Sequence, residues 1–78
     1  ISYDELPLSL FPNPVINRLQ LENVGYGSIS IFSSSGNLVL TQENSLEQVD
    51  VANLASGIYL LRYQNEWGQS ATRKFVKQ

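Results

Sequence analysis

Cysteine, histidine and methionine are all missing from this chain of 78 residues. Without cysteine, no disulfide and no thiolate-bound metal can staple the fold, and thiol usage does not mark a compartment. Without histidine, the commonest general base and the imidazole metal ligand are gone. The carboxylates Asp4, Glu5, Glu22, Glu43, Glu47, Asp50 and Glu66 are scattered through turns and polar stretches, with no phosphate loop, dinucleotide fingerprint or calcium loop beside them. A chain this short has little room for a substrate cleft, so neither an enzyme nor a cofactor or metal site is expected. Charge is sparse as well: charged residues make up 15% of the chain, and five bases against seven acids leave a formal net charge of -2. That balance offers no basic face to neutralise a row of phosphates, which excludes nucleic acid as the expected partner. No apolar run approaches the ~20 residues that cross a bilayer, and no charged-then-apolar leader opens the chain. A chain that starts Ile1-Ser2-Tyr3-Asp4 and contains no methionine fits a processed product or an excised terminal module.

Hydrophobic residues nevertheless reach 42%, enough for a folded domain rather than a disordered tail. Their spacing is that of strands. Leu19 and Leu21 alternate with Arg18, Gln20 and Glu22, and Ile29 and Ile31 alternate with Ser28 and Ser30, the period of a half-buried strand. Ser34-Ser35-Gly36-Asn37 supplies turn chemistry before Leu38 to Gln42, which predicts a hairpin. A weaker strand surrounds Leu46, Val49 and Val51. Ile58 to Tyr63 is apolar at most positions, as expected of a central strand covered on both faces. Asn65-Glu66-Trp67-Gly68 reverses the chain, and Ser70 to Lys77 returns as a last strand. No window keeps helical spacing free of β-branched or glycine interruptions. With a first strand near Leu6 to Leu10, about seven short strands predict a single all-β, immunoglobulin-like antiparallel sandwich over 6–78. Ile1 to Glu5 reads as a linker remnant.

Three stretches stand out. In Phe11-Pro12-Asn13-Pro14, both residues that precede a proline are driven from helical toward extended geometry. Neither Pro12 nor Pro14 can donate to a ladder, so the stretch belongs at a sheet edge or a surface crossing, with Asn13 free to bond nearby backbone. A rigid first turn accounts for these residues one by one. In Leu54-Ala55-Ser56-Gly57-Ile58-Tyr59, Gly57 permits a turn, Leu54 and Ile58 can pack inward, and Tyr59 can bury its ring while wetting its hydroxyl. Gly36 permits the other turn. At the end, Arg73, Lys74 and Lys77 place three of the five cations in the last six residues, as in an edge strand protected by charge. A terminal edge strand is equally a shape that a receptor can grip, with Phe75 and Val76 as anchors.

Taken together, these stretches resemble the C-terminal sorting domain of type IX secretion substrates. That family has a Pro-Asn-Pro element followed by a strand like Val15 to Leu21. Its second element is an Ile-x-Ile strand with a glycine turn, as in Ile29 to Leu40, although Ser33 or Ser34 stands where an aspartate is usual. Its third is a Leu-x-Ser-Gly-Ile-Tyr corner, and it ends in a lysine-flanked tail that makes Gln78 resemble a natural terminus. The resemblance implies a signal that directs a larger N-terminal cargo to the type IX translocon. The implied route runs through the periplasm to an outer-membrane shuttle barrel, then to the cell surface or the medium. A sortase-like cysteine peptidase commonly removes such a domain and joins the cargo to lipopolysaccharide, so cleavage is expected in or just before Ile1 to Leu6, where the backbone is extended and unpaired. Contact with the translocon is expected at Lys74, Phe75, Val76, Lys77 and Gln78. Pro12, Asn13, Pro14, Gly36, Leu54, Ser56, Gly57, Ile58 and Tyr59 are expected to hold the turn geometry. Two other uses fit the composition: an adhesive module in which Trp67, Tyr63 and Tyr26 form a sugar platform, and an inert fibronectin-like spacer.

Overall fold

The computed structural model describes residues 8–22, 24–43 and 47–78. The linker at 1–5, the cleavage region, the start of the first strand at Leu6 and the side chain of Leu46 lie outside the described residues.

Among the described residues, seven strands form two antiparallel sheets: β1 (Ser9–Phe11), β2 (Arg18–Glu22), β3 (Gly27–Ser33), β4 (Leu38–Glu43), β5 (Gln48–Asp50), β6 (Gly57–Asn65) and β7 (Ser70–Lys77). One sheet has the order β1-β2-β5 and the other β4-β3-β6-β7. This is the immunoglobulin-like sandwich that the sequence predicts, with the fourth strand paired to the third.

Alternation explains the layers. In β2, Leu19 and Leu21 are buried while Arg18, Gln20 and Glu22 are exposed, and in β3 only Ile29 and Ile31 are fully covered. These side chains meet Val49, Leu61, Tyr63, Ala71 and Phe75 in one core between the sheets. Each fully buried Leu or Ile contributes about 1.5–3 kcal/mol of transfer free energy, and the core has no disulfide to supplement it.

The two hairpins of the larger sheet close through the same turn. At Ser33 to Asn37 the Gly36 N–H donates to Ser33 O at 2.9 Å and the Ser33 N–H donates to Asn37 O at 2.8 Å. At Asn65 to Gln69 the Gly68 N–H donates to Asn65 O at 3.1 Å and the Asn65 N–H to Gln69 O at 2.8 Å. Gly36 (φ 92°) and Gly68 (φ 84°) take the left-handed position that such three-residue loops require. In the second turn, Asn65 Oδ1 also accepts the N–H groups of Trp67 and Gln69, each at 2.9 Å.

Three expectations are corrected. The first strand reaches Phe11 rather than stopping at Leu10. Val15 does not begin β2; it makes an isolated parallel bridge to Lys77. Finally, β6 is central in its sheet but covered on one face only, since Tyr59, Leu61 and Tyr63 point into the core while Ile58, Leu60 and Arg62 face solvent. Among the described residues the two sheets are the only layers, so nothing there covers them.

Candidate functional site

The three singled-out stretches converge on the last strand. From Lys74 to Gln78, the outward backbone groups of β7 are held by the proline-bracketed segment. Val76 N–H donates to Asn13 Oδ1 at 2.9 Å, and Asn13 Nδ2 makes a long 3.5 Å contact to Lys74 O. Next in line, Val15 N–H donates to Val76 O at 2.9 Å and Gln78 N–H donates to Val15 O at 2.8 Å. The Asn13 amide thus presents a donor and an acceptor to the edge as a neighbouring peptide unit would. Pro12 and Pro14 flank it with exposed rings, and both X-Pro bonds are cis. Further along the same edge, Arg73 Nε donates to Leu8 O at 3.1 Å. The end of β7 is therefore not an open template for strand addition, because residues 13–15 already occupy it.

The tail residues divide by parity. Lys74 and Val76 face outward, whereas Phe75 is fully buried and Lys77 nearly so. Phe75 stacks on Tyr59 with ring centroids 5.5 Å apart and 18° between planes, and Lys77 Nζ donates to Gln78 O at 2.8 Å. In the folded domain Phe75 is a core residue, and only one of the two terminal lysines is exposed.

The Leu54 to Tyr59 stretch is the corner that carries the chain from β5 in one sheet to β6 in the other. Ala52 N–H is fixed by Asp50 Oδ1 at 2.9 Å, Leu54 N–H donates to Val51 O at 3.0 Å, and Leu54 packs half-buried against the core. The Tyr59 hydroxyl donates to Ala55 O at 2.6 Å, which is the tyrosine corner of immunoglobulin-like sandwiches. Ser56 and Gly57 are exposed at the bend, and Gly57 has φ 154° with no atom near a hypothetical Cβ. Ile58 does not pack inward as expected; it is exposed and pairs across the sheet with Val76.

Sequence reasoning missed Gly27. A Cβ there would collide with Gln64 O and lie 2.9 Å from Asn65 Cα, so the close approach of β3 to β6 at their far end requires glycine. It also missed the Tyr63 hydroxyl, which accepts the Gly25 N–H at 2.9 Å. Because Tyr63 is buried, the three-ring platform with Trp67 and Tyr26 does not form, although the latter two are exposed.

Among the described residues no group of three or more acids, histidines or cysteines could hold a metal ion, and no helix is long and apolar enough to cross a membrane. Every buried side-chain polar atom among them has a hydrogen-bond partner. The open face of the larger sheet carries exposed Leu38, Ile58, Leu60 and Val76.

The family model described as "secretion system C-terminal sorting domain" matches residues 9–78. A solved structure from work on PorZ, described as an essential bacterial surface component of the type IX secretion system of Porphyromonas gingivalis, is similar in fold. The TM-score is 0.75 at 18% sequence identity, over 92% of this chain and 11% of that one. The chain thus spans a small part of the PorZ chain. Comparison with curated proteins finds no match. The strand order and the terminal strand held by a proline-bracketed segment define a small immunoglobulin-like sandwich domain. The chain belongs to the secretion system C-terminal sorting domain family, and its function is that of a type IX secretion sorting signal.

Proposed function

We propose that this domain marks a cargo joined to its N-terminal side for the type IX translocon, and that the folded domain itself is what is read. The observation that supports this most is the clasp: the motif near the start of the domain and the tail at its end build one surface, so the feature to be recognised exists only when the sandwich has folded. The partners inferred from the family are the translocon, an outer-membrane shuttle barrel and a sortase-like cysteine peptidase, met during passage through the periplasm. The domain catalyses nothing in this sequence and is the peptidase's substrate if it is removed. Cleavage in or just before residues 1–6 is the corresponding proposal for the linker.

Within the tail, Lys74, Val76 and Gln78 are proposed to make direct contacts, while Phe75 and Lys77 act by shaping the strand. A reporter protein directed to the periplasm of a type IX host and carrying residues 1–78 at its C-terminus tests the function. Export of the fusion, with the bare reporter left in the periplasm, is the expected result; equal retention of both overturns it. Deleting Lys74 to Gln78 is a poor probe of contact, because it also removes Phe75 from the core.

A further inference from the structure

The solvent face of the four-stranded sheet changes character along its length. Toward the β6–β7 turn, its outward residues are Ser28, Ser30, Arg62, Gln64, Ser70 and Thr72, the polar set expected where an antiparallel sheet meets water. Toward the clasped end the polar alternation stops. Leu38, Phe32, Leu60 and Lys74 stand in line across β4, β3, β6 and β7, and Ile58 pairs with Val76 one step further on. Leu38 is 54% exposed, Ile58 50% and Leu60 42%, so none of them is needed to fill the core. Two of the three stretches that distinguish this sequence, Leu54 to Tyr59 and Lys74 to Gln78, send their outward residues Ile58, Val76 and Lys74 to this patch.

Charge narrows the occupant. The chain as a whole is acidic, with a formal net charge of -2, yet the cations Arg62 and Lys74 sit against the apolar patch. Neither faces a carboxylate in the ladder: Arg62 is opposite Ser30 and Thr72, and Lys74 is opposite Leu60. Glu43, the acid on this face, stands opposite Ser28 at the polar end. Two cations on an acidic domain give only about 2 kcal/mol of attraction to an anionic bilayer, at about 1 kcal/mol each, short of the clusters of several basic residues that hold a protein there. Two copies packed patch to patch would offer the two cations no carboxylate, because Glu43 lies at the polar end of the face.

We propose that the patch formed by Phe32, Leu38, Ile58, Leu60 and Val76, with Arg62 and Lys74 beside it, is the docking surface of the domain, and that its occupant is a protein surface pairing apolar side chains with carboxylates. This rests on the sorting function above and identifies which part of the sandwich the export machinery holds. Apolar side chains would supply the buried centre of the interface and the two cations its register.

The test uses the reporter fusion in three forms: unaltered, Leu60→Glu, and Arg62→Glu with Lys74→Glu. All three substituted side chains are exposed, and the thermal unfolding of each purified fusion is compared with the parent. Export of the unaltered fusion, with a drop of about tenfold or more for both variants at an unchanged unfolding temperature, supports the assignment. Carboxylate-to-lysine changes on the partner that restore the doubly reversed variant support it further. Export of both variants at the parental level overturns the face assignment and leaves the sorting function standing. Failure of the unaltered fusion to leave the periplasm overturns the sorting function and this inference with it. Flotation of the unaltered domain with anionic vesicles, lost on reversal of the two cations, would assign the face to a lipid surface instead. A concentration-dependent dimer in sedimentation, lost in Leu60→Glu, would assign it to a second copy. Either result overturns the proposal.

Discussion

The side-chain oxygen of Asn13 accepts the backbone N–H of Val76 at 2.9 Å, across 63 residues of sequence. This bond gives the proline-bracketed segment a structural task, because it caps an edge that would otherwise present unpaired backbone. Replacing Asn13 with alanine leaves that N–H to water, and the expected loss is about 0.5–1.5 kcal/mol. Hydrogen exchange should show the amides of Val76 and Gln78 losing protection while those of β3 keep theirs.

Neighbours in the tail should behave oppositely. Phe75→Ala removes a fully buried ring stacked on Tyr59 and is expected to cost about 3–5 kcal/mol. Val76→Ala, at the surface, should cost less than about 1 kcal/mol. Urea unfolding of both variants checks the pair; equal losses would contradict the parity of the strand.

Glycine substitutions should rank by what their Cβ meets. Gly27→Ala drives a methyl group into the Gln64 carbonyl, and since neither backbone can yield cheaply, the pairing of β3 with β6 is expected to break. Gly57→Val meets open space and carries only the backbone penalty of its φ, about 1–3 kcal/mol. Gly36→Ala, also in open space, should cost about 1–2 kcal/mol. Circular dichroism melts of the three variants test the order.

Tyr59→Phe keeps the ring stack and deletes the hydroxyl that bonds Ala55 O at 2.6 Å. The expected cost is about 1 kcal/mol, with faster amide exchange confined to the corner between β5 and β6. A change spread over the whole domain would mean that the corner and the core unfold as one unit.

Much of this architecture was legible in the order of residues. Period-two alternation marks β2 and β3, and the glycine at the third loop position marks both hairpins, because these signals are local. The clasp was not legible: Asn13 reads as a turn residue until the fold brings it to a strand more than sixty positions away. Gly27 was overlooked for the same reason, since the carbonyl that excludes a side chain there belongs to Gln64. The exposure of Ile58 and Leu60 escaped a reading based on hydropathy, which registers apolar residues without saying whether a second layer exists to cover them. The inward turn of Lys77 was within reach, because strand parity that buries Phe75 also buries the residue two further on.

Because Asn13 and Val15 hold Val76 and Gln78, the proline-bracketed segment cannot be completed until the far end of β7 is in place. A polypeptide released before Val76 would carry every other recognisable stretch and still leave the clasp empty. Such a product would display a ragged sheet margin in place of the finished surface.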